Sequence, residues 1–141
     1  MSYRWLEHTS ERELRIDAPS ETGVFELAVA ALGELVAGHR DGEGEREASD
    51  RRVPLAREVT AKAPDRAALL AAFLEELVYL IETEDLIPET VERLELVGES
   101  VTATVCGRRG YPAHLVKGVT YHELTFVPAE DGFSATVVLD V

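Results

Sequence analysis

Leu14 and Ile16 alternate with Glu13, Arg15 and Asp17, the two-residue period of a half-buried strand, and Pro19 stops it. Ser20 then stands at an N-cap position. Val24, Phe25, Leu27, Ala28, Ala31, Leu32, Leu35 and Val36 follow at helical spacing until Gly38 supplies a C-terminal stop. Residues 39–50 (HRDGEGEREASD) have almost nothing to bury and read as a solvated loop. Residues 52–63 alternate loosely, and Pro54 at their start places this strand at a sheet edge. Asp65 caps a second helix, whose stripe is Leu69, Leu70, Phe73, Leu74, Leu77, Val78, Leu80 and Ile81. Residues 91–97, 100–106, 118–127 and 133–141 are rich in β-branched side chains and read as strands, with turns at 98–99 and 131–132. The order strand, helix, strand, helix, four strands predicts an α+β fold: two helices packed on one side of a largely antiparallel sheet, in one domain over 1–141.

Composition alters this picture little, since 45% hydrophobic and 29% charged residues are ordinary for a globular chain. Charge alters it more. A formal net charge of −13 opposes holding a phosphate backbone, because affinity for nucleic acid comes largely from Lys and Arg neutralising phosphates. Any role in nucleic-acid chemistry therefore passes through a partner. The acid is also unevenly spread: Glu75, Glu76, Glu82, Glu84, Asp85, Glu89, Glu92, Glu95 and Glu99 fall in one segment against Arg93. A basic partner surface is one reason for such a segment, and solubility is the other. The single cysteine, Cys106, leaves no disulfide or CxxC pair and fits a reducing compartment. The start of the chain lacks the run of about 7–15 apolar residues of a signal peptide, and no stretch approaches the ~20 of a membrane span. The expected location is cytoplasmic, with no membrane contact.

Candidate chemistry is sparse. His8, His39, His114 and His122 stand in no HxH or HExxH pattern, and there is no GxSxG elbow, GxxxxGK[ST] loop or GxGxxG turn. Carboxylates near strand ends remain: Glu11, and Asp140 beside the α-carboxylate of Val141. Hard cations such as Ca²⁺ and Mg²⁺ prefer oxygen sets of this kind.

Four segments read together resemble the archease family. They are Leu6-Glu7-His8-Thr9-Ser10-Glu11, Phe73-Leu74-Glu75-Glu76-Leu77-Val78-Tyr79-Leu80, Lys117-Gly118-Val119-Thr120-Tyr121-His122, and the terminal Leu139-Asp140-Val141. The resemblance implies an archease-like α+β fold and a divalent cation, Ca²⁺ or Mg²⁺, held by the first motif and the C-terminal Asp. It also implies a non-catalytic role: stimulating guanylylation and turnover of an RtcB-type RNA ligase in tRNA splicing or RNA repair, with RNA met only through the ligase. A chaperone or specificity modulator of RNA-processing enzymes is the alternative role. Carried onto this chain, the metal set is Glu11, Asp140 and Val141, with His8, Lys117, Thr120, Tyr121 and His122 beside it.

Glu11 replaces the family's usual Asp, and its extra methylene suits the flexible shell of Ca²⁺ better than the octahedral shell of Mg²⁺. Lys117 is either a solvated strand-start lysine or an ammonium that pairs with Glu11 or Asp140 or meets phosphate in the ligase. Alternation puts Val119 and Tyr121 on one face and Thr120 and His122 on the other, which predicts Tyr121 in the core and His122 outward or towards the site.

Overall fold

The computed structural model describes residues 1–38 and 53–141, so the predicted loop at 39–50, His39 and Arg52 lie outside the described residues. The elements are β1 (Ser2–Glu7), β2 (Glu11–Ala18), α1 (Glu21–Ala37), β3 (Pro54–Lys62), α2 (Arg66–Glu84), β4 (Leu86–Val97), β5 (Ser100–Arg109), β6 (Gly118–Ala129) and β7 (Gly132–Asp140). The fold is α+β, with two helices and antiparallel strands as expected. Its strands form two sheets, ordered β1-β2-β7-β6 and β3-β5-β4, so β3 is an edge strand as Pro54 indicated. Among the described residues no helix is long and apolar enough to cross a membrane.

Both helices begin where their caps predict. The Ser20 hydroxyl accepts from the Gly23 N–H at 3.1 Å and the Asp65 carboxylate from the Ala68 N–H at 2.8 Å, each satisfying an otherwise orphaned first-turn donor. Gly38 ends α1 at a φ of 75°, a conformation that glycine adopts without steric cost. Each helix contacts both sheets, α1 lying against β4 and β2 and α2 against β6 and β3. A helix covered on two sides needs more than one apolar stripe. In α1, Gly23, Val24, Phe25, Ala28, Val29, Ala31, Leu32, Gly33 and Val36 are accordingly all buried. The helices meet through Phe25 and Phe73, edge to face with ring centroids 5.4 Å apart.

Beyond the division of the strands into two sheets where one was expected, two features differ from the sequence expectation. β1 was not predicted, yet Tyr3 and Trp5 pair with Ile16 and Leu14 and pack against the core. β4 starts at Leu86 rather than at 91, passing through buried Pro88, where the pairing to β5 slips by one residue. A proline is tolerated there because the bulge removes the need for its N–H in the ladder.

Candidate functional site

β1 and β2 are joined by a tight hairpin in which the His8 N–H donates to the Glu11 carbonyl at 2.9 Å and the Glu11 N–H returns to His8 at 3.3 Å. The Val141 N–H donates to the Ser10 carbonyl at 3.0 Å, and the Lys117 N–H to the Asp140 carbonyl at 2.7 Å. The turn, the end of β7 and the start of β6 are thereby joined at one tip of the sheet. Segments more than a hundred residues apart in sequence meet there.

Glu11 is the direct cross-strand partner of Asp140, and Gly118 pairs with Asp140 from the other side. Directly opposed residues share a face of the sheet, with Cβ atoms about 4.5–5.5 Å apart. The site thus holds two carboxylates side by side, and beside Gly118 there is open space where a larger side chain would stand. Like charges in this arrangement repel. No ion pair joins Lys117, which is exposed, to either acid among the described residues. Nor, among the described residues, do three or more His, Cys, Asp or Glu side chains come together in a set that could hold a metal ion. The donor set is two carboxylates, all oxygen, which fits a hard cation that keeps part of its water shell.

Glu13 follows Glu11 on the same outward face, yet it is only 6% exposed. Its Oε1 lies 3.2 Å from His8 Nε2, and its Oε2 accepts from Arg15 Nε at 2.6 Å. The Arg15 hydrogen bond, with help from His8, holds the Glu13 carboxyl below the ordinary glutamate range, against the opposing effect of burial. Sequence reasoning counted Glu13 only as a polar position in an alternating strand. Its role depends on His8, five residues away across a turn, and the only local signal was that Arg15 shares its face.

Along β6 the pairing steps from Thr120–Val138 to Thr125–Thr136, so Tyr121, His122, Glu123 and Leu124 stand opposite Val137 alone. This bulge overturns the alternation that predicted Tyr121 in the core. Tyr121 is 59% exposed, while Val119, before the bulge, stays buried. Glu123 adopts a φ of 56°, and the Thr120 hydroxyl accepts from the His122 N–H at 3.2 Å. His122 is exposed and lies 3.4 Å from the Glu123 carboxylate. Val141, bonded to the turn through its N–H, also borders a cleft of about 1220 Å³ that reaches the C-terminal end of α1, lined with it by Trp5, Arg12, Glu34 and His114.

Residues 3–141 match the model of the Archease protein family (MTH1598/TM1083). Among curated relatives, the chain is 32% identical to the archease of Methanosarcina acetivorans and 31% to that of Methanosarcina mazei. Each alignment covers 99% of this chain and 95% of the relative. Among solved structures, Methanobacterium thermoautotrophicum protein 1598 is similar with a TM-score of 0.65 at 21% identity, over 99% of this chain and 98% of that one. A Thermotoga maritima archease described as a possible chaperone gives 0.67 at 19%, over 96% and 94%. At such identities these two structures establish the shared fold.

Proposed function

The chain belongs to the archease family, and from that premise we propose that it is a non-catalytic activator that docks its Glu11–Asp140 tip onto an RtcB-type RNA ligase. The observation that carries this reading is the carboxylate pair, held at directly opposed positions on a sheet end tied together by three backbone segments. Two like charges so placed cost stability unless something positive is shared between them. Glu11 and Asp140 would hold a divalent cation, Ca²⁺ or Mg²⁺, which supplies the positive charge that offsets their repulsion and attracts phosphate oxygens.

The chain's own residues have distinct parts. The Val141 and Lys117 backbone bonds fix Asp140 against the hairpin, so the acid pair is preorganised before docking. Glu13 anchors His8, the motif histidine, next to the turn. Exposed Lys117 is available to a phosphate in the ligase. A chain of net charge −13 is steered toward a basic, nucleotide-binding mouth, and the steering weakens as salt screens it. RNA is met only through the ligase.

Measuring the guanylylated fraction of the ligase of the same organism, with GTP and Mn²⁺ and with or without this protein, tests the proposal. The expected result is a faster rise with wild type and none with Asp140→Ala. An unchanged rise with wild type sinks the activator role. Ligase-independent protection of several RNA-processing enzymes from aggregation would favour the chaperone alternative.

A further inference from the structure

A strand that ran straight from Val119 to Phe126 would bury Tyr121 beneath the sheet. Instead four residues occupy the space of one, and a non-glycine residue, Glu123, takes a left-handed backbone conformation to allow it. Such a conformation is strained for a residue that carries a side chain, and bulges of this kind re-aim side chains at sheet edges and next to sites. What this one re-aims is Tyr121, 59% exposed, together with Glu123, whose side chain is 61% exposed and whose carboxylate has His122 Nε2 at 3.4 Å as its neighbour. β6 is the outer strand of its sheet, and the bulge begins at Thr120, two residues beyond the Gly118–Asp140 pair. The displaced residues are therefore continuous with the acidic tip.

We propose that the bulge is an arginine-binding element: the Tyr121 ring and the Glu123 carboxylate receive an arginine side chain of the protein on which the tip docks. This rests on the partner-docking reading above and adds to it the chemistry of the contact. Guanidinium is planar and weakly hydrated, so it stacks on an aromatic face while its edge bonds a carboxylate; an ammonium is a hydrated point charge that does this poorly. Overall acidity attracts lysine and arginine alike, whereas a ring beside a carboxylate separates them. A buried aromatic–arginine contact is also a common energetic centre of protein interfaces. Tyr79 and Tyr111 are at least as exposed, at 60% and 86%, but belong to α2 and to the segment after β5 rather than to the bulge. They serve as controls.

The test is an NMR titration of the ¹⁵N-labelled chain with hexa-arginine and, separately, hexalysine. Amide signals of Tyr121, His122 and Glu123 are expected to shift saturably, several-fold more tightly with hexa-arginine. Tyr121→Ala should abolish that preference with signal dispersion retained, while Tyr121→Phe, Tyr79→Ala and Tyr111→Ala keep it. Equal affinities, shifts confined to the outer face of α2 (Glu75, Glu76, Glu82), or a preference surviving Tyr121→Ala would each overturn the proposal. Titrating the ligase then separates the two readings. If the arginine preference holds but wild type fails to bind the ligase, the ligase reading falls and the arginine site stands. If wild type binds and folded Tyr121→Ala binds equally well, the docking role of the bulge falls; the proposal expects a loss of about tenfold or more, some 1.4 kcal/mol.

Discussion

Replacing Gly33 by alanine tests the arrangement on which the two-sheet fold depends. Gly33 lies in α1 where the helix meets β4, and a Cβ added there would stand 1.9 Å from the carbonyl oxygen of Pro88 and 3.0 Å from its carbon. The obstacle is backbone at a bulge, which cannot rotate aside as a side-chain end would. Helix and strand must therefore part by over an ångström. Alanine is the better helix former by about 1 kcal/mol, whereas overpacking costs about 1–3 kcal/mol and sometimes more. With a rigid obstacle the upper figure applies, so the net expectation is a loss of about 2 kcal/mol. At roughly 4 °C per kcal/mol for a domain of this size, thermal unfolding should fall by about 8 °C. Gly118→Ala is the control, since its Cβ would meet nothing within 4 Å, and it should stay within about 0.5 kcal/mol of wild type. Circular dichroism melts of the three proteins decide it. A Gly33→Ala melt at or above wild type would mean that α1 does not approach Pro88 this closely.

Three further outcomes follow from other parts of the molecule. Leu74→Ala, at a site with no exposed surface, should lose about 2–5 kcal/mol in denaturant unfolding, whatever its effect on activity. Glu13 has a depressed folded pKa, so its contribution is present above the unfolded value, ordinarily 4.5, and is lost as pH falls through the folded value. The difference in melting temperature between wild type and Glu13→Gln should accordingly shrink on acidification below about pH 4.5, and a constant difference would contradict the assignment. Calorimetry with Ca²⁺ and Mg²⁺ should show divalent binding that Asp140→Ala abolishes; binding unchanged in that variant would remove Asp140 from the metal site.

The helices were legible because their signals are local. Ser20 and Asp65 cap within three residues, and the apolar spacing of α2 is broad and uninterrupted. Periodicity in β2 likewise gave the correct face, with Leu14 and Ile16 buried. What escaped was set by partners distant in sequence. β1 is stabilised by pairing with β2 and by the core under Tyr3 and Trp5, and the extension of β4 through Pro88 depends on a bulge against β5. The β6 bulge reversed the placement of Tyr121 because alternation assumes an unbroken ladder. At the site, motif resemblance named Glu11 and Asp140, and spacing alone did not join two residues so far apart in the chain. The Glu13 anchor, formed across the hairpin turn, became visible only with the fold.

The account's central claim is that the Glu11–Asp140 tip acts by stimulating a ligase. The most direct measurement is the multiple-turnover rate of RNA ligation by the RtcB-type ligase of the same organism, with wild-type protein, Asp140→Ala and Leu74→Ala each checked for folding. The predicted result is a higher rate with wild type, loss of stimulation with folded Asp140→Ala, and loss with Leu74→Ala only to the extent that it unfolds. A rate unchanged by wild type, or raised equally by folded Asp140→Ala, would contradict the claim.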